Sequence, residues 1–289
     1  MKLAAETALY RRFFAVLPNE EADNMDFHFK DTYDINDLCE IMRMLRSENG
    51  CPWDKVQTHE SIRKDFLEET YEAVEAIDMN SPEMLREELG DVLLQVVFHS
   101  CIEEEKNSFT FGDVVNDICS KLIVRHPHVF GEVKVKDADD VLRNWNDIKQ
   151  QTKGQETYTE TLESVCKALP ALMRAQKIGK RAERAGMDFA SADEAIARLE
   201  SEIAELKSAA ASGNKADIAD EIGDVLFSAV NVSRLLGEDA EECLTRASDK
   251  FIGRFSACEA MIRSEGKDMR SLTINELDAY WQKAKINNK

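Results

Sequence analysis

The chain has 289 residues, 43% of them hydrophobic and 32% charged, and 37 Lys and Arg stand against 56 Asp and Glu for a formal charge of −19. That apolar fraction excludes general disorder, and no stretch approaches the ~20 uninterrupted apolar residues of a bilayer span. The acidic balance argues against a nucleic-acid duplex as partner, because neutralising phosphates needs clustered Lys and Arg. A small phosphorylated ligand stays compatible if a divalent cation mediates between carboxylates and phosphates. Arg11 and Arg12 interrupt the N-terminal apolar stretch, so no signal-peptide core forms. Seven cysteines without a C-x-x-C pair fit a reducing compartment, and a cytoplasmic location without membrane partners is expected.

In chain order, residues 1–33 read as an N-terminal extension of uncertain order. Leu38, Ile41, Met42 and Leu45 recur at helical spacing, up to a break at Asn49-Gly50-Cys51-Pro52. A Glu-rich helix follows, then Ser81-Pro82-Glu83, an N-cap with proline at the first helical position. Leu89, Val92, Leu93, Val96 and Val97 form the next stripe. After the His126-Pro127 turn, Glu132 to Lys136 is the best strand candidate. Polar residues 151–160 read as a linker. Beyond it lie the stripes Leu199, Ile203, Leu206 and Ile222, Leu226, Val230, separated by Ser212-Gly213-Asn214. The expectation is an all-α protein with one domain over 34–150 and a second over 161–289.

The two halves repeat each other. Glu88-Leu89-Gly90-Asp91-Val92-Leu93 returns as Glu221-Ile222-Gly223-Asp224-Val225-Leu226, 133 residues later. Glu68, Glu69 and Glu72 precede the first copy, and Glu202 and Glu205 precede the second. Lys121 and Arg125 match Lys250 and Arg254, and Trp145 and Lys149 match Trp281 and Lys285, all four apart. Four features in one order mark a duplicated helical module.

Carboxylates at helical spacing share a face, so Glu68, Glu72 and Glu75 align, with Glu69 at the edge. Gly90 and Gly223 cost about 1 kcal/mol each against alanine in a helix interior, which predicts close helix approach there. Two antiparallel helices would then gather four or five carboxylates at the mouth of a buried apolar stripe. Such a cluster needs a counter-charge, and oxygen ligands alone suit Mg²⁺ first and Mn²⁺ second. Beside it, Lys121 with Arg125 and Lys250 with Arg254 are natural phosphate clamps, or else partners of local acids. Lys149 and Lys285 lie one turn beyond Trp145 and Trp281, two rings read as packing residues or stacking platforms. No His follows a Glu by three residues, which weakens a di-iron bundle. No P-loop or nucleophile elbow is present.

These residues resemble the MazG family of nucleoside triphosphate pyrophosphohydrolases. Gly50-Cys51-Pro52-Trp53-Asp54 with Gln57-Thr58, Leu67-Glu68-Glu69-Thr70-Tyr71-Glu72, Glu88-Leu89-Gly90-Asp91 and Arg125-His126-Pro127-His128-Val129-Phe130 carry the likeness, which runs over residues 35 to 289. The resemblance implies the family's all-α helical-bundle fold, Mg²⁺ dependence, and cleavage of a nucleoside triphosphate to monophosphate and pyrophosphate. It also implies homodimers whose helices complete each other's bundles. Carried over residue by residue, the metal and catalytic set is Glu202, Glu205, Glu221 and Asp224 in the second module, where Ser201 replaces the leading Glu. Asn231, Lys250, Arg254, Trp281 and Lys285 follow the substrate-binding pattern. The first module offers a second candidate site: Glu68, Glu69, Glu72, Glu88 and Asp91, with Lys121, Arg125, Trp145 and Lys149. Tandem members resemble a division of labour, and Asn231, replaced by Phe98 in the first copy, favours the second copy as the main hydrolase. The rival reading is a non-catalytic metal- or nucleotide-binding helical regulator of a protein partner.

Overall fold

The computed structural model describes residues 27–152 and 154–287. Its elements are α1 (Ile35–Arg46), α2 (Pro52–Lys55), α3 (Arg63–Asp78), α4 (Pro82–Glu105), α5 (Phe111–Arg125), α6 (Pro127–Phe130) and α7 (Ala138–Thr152). There follow α8 (Tyr158–Glu163), α9 (Ala171–Arg184), α10 (Ala192–Ser212), α11 (Lys215–Leu235), α12 (Ala240–Ser264), a 3₁₀ turn at Met269–Ser271 and α13 (Ile274–Asn287). No strand occurs among the described residues, so the all-α expectation holds. Glu132 to Lys136 is irregular chain rather than the strand its alternation suggested; a lone five-residue run has no second strand to receive its backbone bonds.

The chain divides between Val141 and Leu142 into two compact units. This cut precedes the polar run at 151–160 and leaves most of α7 in the second unit. The extension expected over 1–33 lies outside the described residues up to position 26. From Phe27 onward its rings do find partners: Phe27 meets Phe29 at 5.2 Å and Tyr33 at 6.1 Å.

In the first unit α3 and α4 form the principal antiparallel pair, and α1 lies on α4. Asp34 caps α1 in a capping box with Asp37, and Ser81 caps α4 by accepting from the Met84 amide, as its sequence signature predicted. Cys39, Met42, Ile62, Val97, Phe98, Cys101 and Ile102 make the core. Each such apolar side chain contributes about 1.5–3 kcal/mol on burial. Arg46 on α1 ties the layers together. Its guanidinium grips Glu105 on α4 through Nε (2.6 Å) and Nη2 (2.9 Å) and donates to the Asp54 carbonyl at 2.6 Å.

The second unit repeats the plan. Helices α10 and α11 pair, α9 lies on α11, and α12 pairs with α13. Gly213 ends α10 with φ of 74°, the left-handed conformation that favours glycine, and Asn214 caps α11. The tie between layers is kept with its polarity reversed. Arg234, on α11, reaches Glu183 of α9 at 3.0 Å and also grips Asp188 with both terminal nitrogens. Cys258, Ile262, Tyr280 and Ala284 form the core between α12 and α13.

Two expectations about the acid-bearing helices are corrected. Nothing lies within 4 Å of where a Cβ would stand at Gly90 or Gly223, so neither marks a close helix approach within the chain. The stripes beside the acids are also not buried in the chain's own cores at their outer ends: Leu89, Leu93, Ile222 and Leu226 are exposed. Both follow from one cause. The apolar faces of α4 and of α11 are wider than the helices packed on them within each unit cover.

Two candidate metal sites and their surroundings

On α3 and α4, Glu69, Glu88 and Asp91 each bring one carboxylate oxygen within 4.8 Å of the other two. On α10 and α11, Glu202, Glu205 and Glu221 do the same. The helical hairpin explains the convergence, because a short turn at Asn80-Ser81 or at Gly213-Asn214 sets the acid-bearing turns side by side. Glu72 bears on the first cluster as a neighbouring carboxyl that raises both Glu69 and Glu88. Asp224 acts on Glu221 as a neighbouring charge. Glu68 is exposed and lies outside the three-oxygen set.

Both clusters carry the signature of crowded negative charge. Burial, followed by Asp91, Glu72 and Glu88, pushes the Glu69 carboxyl up. Burial, then Glu72, Asp91 and Glu87, does so for Glu88. Glu221 is raised by burial and then by Glu205, Asp224, Glu202 and Asp220. Unbalanced carboxylates this close disfavour their own ionisation.

The second cluster also holds two buried oxygens without a hydrogen-bond donor, Oε2 of Glu202 and Oε2 of Glu221. A buried carboxylate oxygen left unpaired is costly, and a hard cation is the partner that oxygen donors of this kind fit. Glu202 is the most enclosed acid, 4% exposed, and its other oxygen accepts from Arg198 Nη2 at 2.7 Å. Ser201, standing where the first copy has Glu68, donates its hydroxyl to Glu205 at 3.1 Å. The sequence reading missed Arg198, although its position four residues before Glu202 is the spacing of a helical ion pair.

The basic residues occupy other elements. Lys121 and Arg125 are on α5, Lys250 and Arg254 on α12, and Lys285 on α13. Arg254 is half-buried and its Nε has no hydrogen-bond acceptor. Trp281 packs on Phe251 with ring centroids 5.0 Å apart and joins the α12–α13 core, the packing alternative of the two read from sequence. Trp145 and Lys149 are both on α7, in the stretch that groups with the second unit. Asn231 is buried against α9. Its Oδ1 accepts from Arg234 Nε at 3.4 Å and faces the backbone of Gly179.

A feature of the first unit that motif reading did not single out lies beyond its acids on α3 and α4. His59 and His99 stack with ring centroids 5.0 Å apart, and their Nδ1 atoms are 2.7 Å apart. His59 Nε2 meets Glu103 at 2.7 Å. Phe66, Phe109 and Val114 line the same cavity of about 510 Å³.

The fold and these sites define a duplicated all-α protein with an acidic cation-type cluster on each principal helix pair. The family model described as MazG nucleotide pyrophosphohydrolase domain matches twice, over residues 57–130 and 190–258, each match spanning one cluster. The Thermotoga maritima protein named nucleoside triphosphate pyrophosphohydrolase/pyrophosphatase MazG is 42% identical over 251 residues, 87% of this chain and 95% of that protein. The Escherichia coli K12 nucleoside triphosphate pyrophosphohydrolase is 39% identical over 254 residues, 87% of this chain and 97% of that protein. A Bacillus subtilis relative, the uncharacterized protein YabN, is 48% identical over 246 residues, and this chain spans half of its length. The chain belongs to the MazG family and carries the family's domain in two copies.

Proposed function

We propose that this protein is a divalent-cation-dependent nucleoside triphosphate pyrophosphohydrolase, releasing a nucleoside monophosphate and pyrophosphate, with the second copy as the main site. The observation that carries it is the second acidic cluster, where Glu202 and Glu221 each bury an unpartnered oxygen beside Glu205. Glu202, Glu205, Glu221 and Asp224 would hold Mg²⁺, with Mn²⁺ as the alternative. Such an ion supplies charge neutralisation for the phosphate chain and acidifies a water.

The chain's own residues account for the rest. Glu205 is exposed, accepts from the Ser201 hydroxyl and faces Arg198 Nη1 at 3.8 Å, and it is the acid placed to accept the proton of a water attacking phosphorus. Lys250, Arg254 and Lys285 offset the charge gathering on the departing pyrophosphate, each asked for about 2–4 kcal/mol. Arg198 pairs with Glu202 and is the positive partner that a bound cation would replace there. Glu69, Glu72, Glu88 and Asp91 form the second site, with Lys121 and Arg125 on α5.

The homodimer is supported by the exposed apolar faces. Leu89, Ile118, Leu122 and Ile123 in the first unit, and Ile222, Leu226, Phe251 and Phe255 in the second, are large side chains left in water. Faces of this kind are what a second chain covers. No helix is long and apolar enough to cross a membrane among the described residues, which supports the proposed cytoplasmic location.

The test is product analysis with Mg²⁺ and ATP or dGTP. Monophosphate plus pyrophosphate is expected; diphosphate plus orthophosphate rejects the bond assignment. Glu221→Gln should abolish turnover and Glu88→Gln should spare most of it. The reverse pattern moves the chemistry to the first copy.

A further inference from the structure

The acidic clusters are not the only place where like charges crowd together. In the second unit a cavity of about 310 Å³ is lined by Arg143, Lys149, Arg181 and Arg184, with Asp147 as its single acid. In a chain of charge −19 this is a local excess of positive charge. None of the acids of either cluster lines it.

The cavity is built, not incidental. Arg181 on α9 fixes one wall by donating Nη1 to the Thr161 carbonyl and to Ser164 Oγ, at 2.7 Å for the latter. Burial and the neighbouring Arg184 both lower its pKa, so the wall is held against electrostatic opposition. Arg143 and Lys149 approach from α7, and the hydroxyls of Tyr158, Thr161 and Ser164 complete the lining. Guanidinium and ammonium groups around a concave surface suit phosphoryl oxygens. The volume lies at the small end of ligand pockets, sufficient for a phosphate chain.

We propose that this cavity is a metal-independent binding site for a polyphosphate anion, separate from the acidic clusters. The ligand chemistry is a di- or triphosphate chain, whether free pyrophosphate or the tail of a nucleotide. Binding sets the cationic lining against three or four negative charges, and therefore weakens as salt rises. Lys149, which the family resemblance assigns to the first module's substrate set, also lines this cavity.

The experiment is calorimetric titration of the full-length protein in EDTA, first with inorganic pyrophosphate and then with ATP in competition. Pyrophosphate should bind, and Arg184→Glu and Arg143→Glu should each weaken binding at least tenfold. Glu221→Gln should leave it unchanged, although that variant is expected to be inactive. If Arg184→Glu melts early by circular dichroism, Arg143→Gln, an exposed position, still has to weaken binding severalfold. ATP that displaces pyrophosphate assigns the nucleotide tail to the same cavity, whereas pyrophosphate displaced by nothing but itself assigns the free anion. Absence of pyrophosphate binding in EDTA overturns the proposal. So does binding that is lost in Arg254→Glu and retained in Arg184→Glu. Neither result bears on hydrolysis, which is measured separately with Mg²⁺.

Discussion

Gly179, midway along α9, is a sensitive test of how the second unit positions Asn231. A Cβ at this position would stand 2.8 Å from Asn231 Oδ1 and 2.9 Å from Arg234 Nε. Both distances are below what real Cβ atoms tolerate, so Gly179→Ala forces one side chain to shift. Asn231 is buried, and Arg234 is committed to Glu183 and Asp188. Overpacking of this kind costs about 1–3 kcal/mol, while alanine in a helix interior returns about 0.8–1 kcal/mol. The net expectation is a loss of about 1 kcal/mol, lowering the melting temperature of a domain of this size by about 2–4 °C. Calorimetric melting reads that shift, and nucleotide turnover at low substrate should fall with it because Asn231 is displaced. Asn231→Ala in the same chain removes the nearest obstacle, so Gly179→Ala should then cost less, a coupling of about 0.5 kcal/mol or more. A melting temperature that rises in Gly179→Ala, as for an unencumbered helical glycine, refutes the contact.

Three further outcomes are expected. Gly223→Ala, with open space around its Cβ, should stabilise an isolated chain by about 0.5–1 kcal/mol through helix propensity; a loss of dimer in sedimentation would show a second chain approaching that glycine. Arg198→Met should tighten Mg²⁺ binding in calorimetric titration, because the cation no longer displaces a resident guanidinium from Glu202; unchanged affinity would mean the pair persists in the loaded site. The Glu103 carboxyl is held down to about 2, first by its hydrogen bond to Lys106 and then by His59. Since its unfolded value is about 4.3, its contribution to stability is complete above that pH and is lost as pH falls toward 2. Glu103→Gln should therefore flatten the acid limb of a stability–pH curve, and an unaltered limb would assign acid sensitivity to other groups.

Much of the architecture is written locally. The three- and four-residue spacing of Leu38, Ile41, Met42 and Leu45, the Ser81-Pro82 start and the Gly213-Asn214 break each act within a few residues of chain. Their elements appear where the spacing puts them. The repetition of the acids was legible too, but not the face that converges: spacing aligned Glu68, Glu72 and Glu75 with Glu69 at the edge, whereas Glu69 enters the three-oxygen set and Glu68 and Glu75 are exposed.

Tertiary structure decided what depends on distant partners. Asp224 and Glu205 occupy corresponding motif positions to Asp91 and Glu72, yet Glu205 enters the second three-oxygen set while Asp91 enters the first. Arg198 and Ser201 act on acids one turn along their own helix, α10, whereas Arg234 acquires its role only when α11 packs on α9 and meets Glu183 and Asp188. The cavity around Arg143, Arg181 and Arg184 joins residues from three helices that no local pattern connects. Periodicity is a property of one helix and survives in sequence; the meeting of charges across helices is set by which faces pack, and that only the folded chain determines.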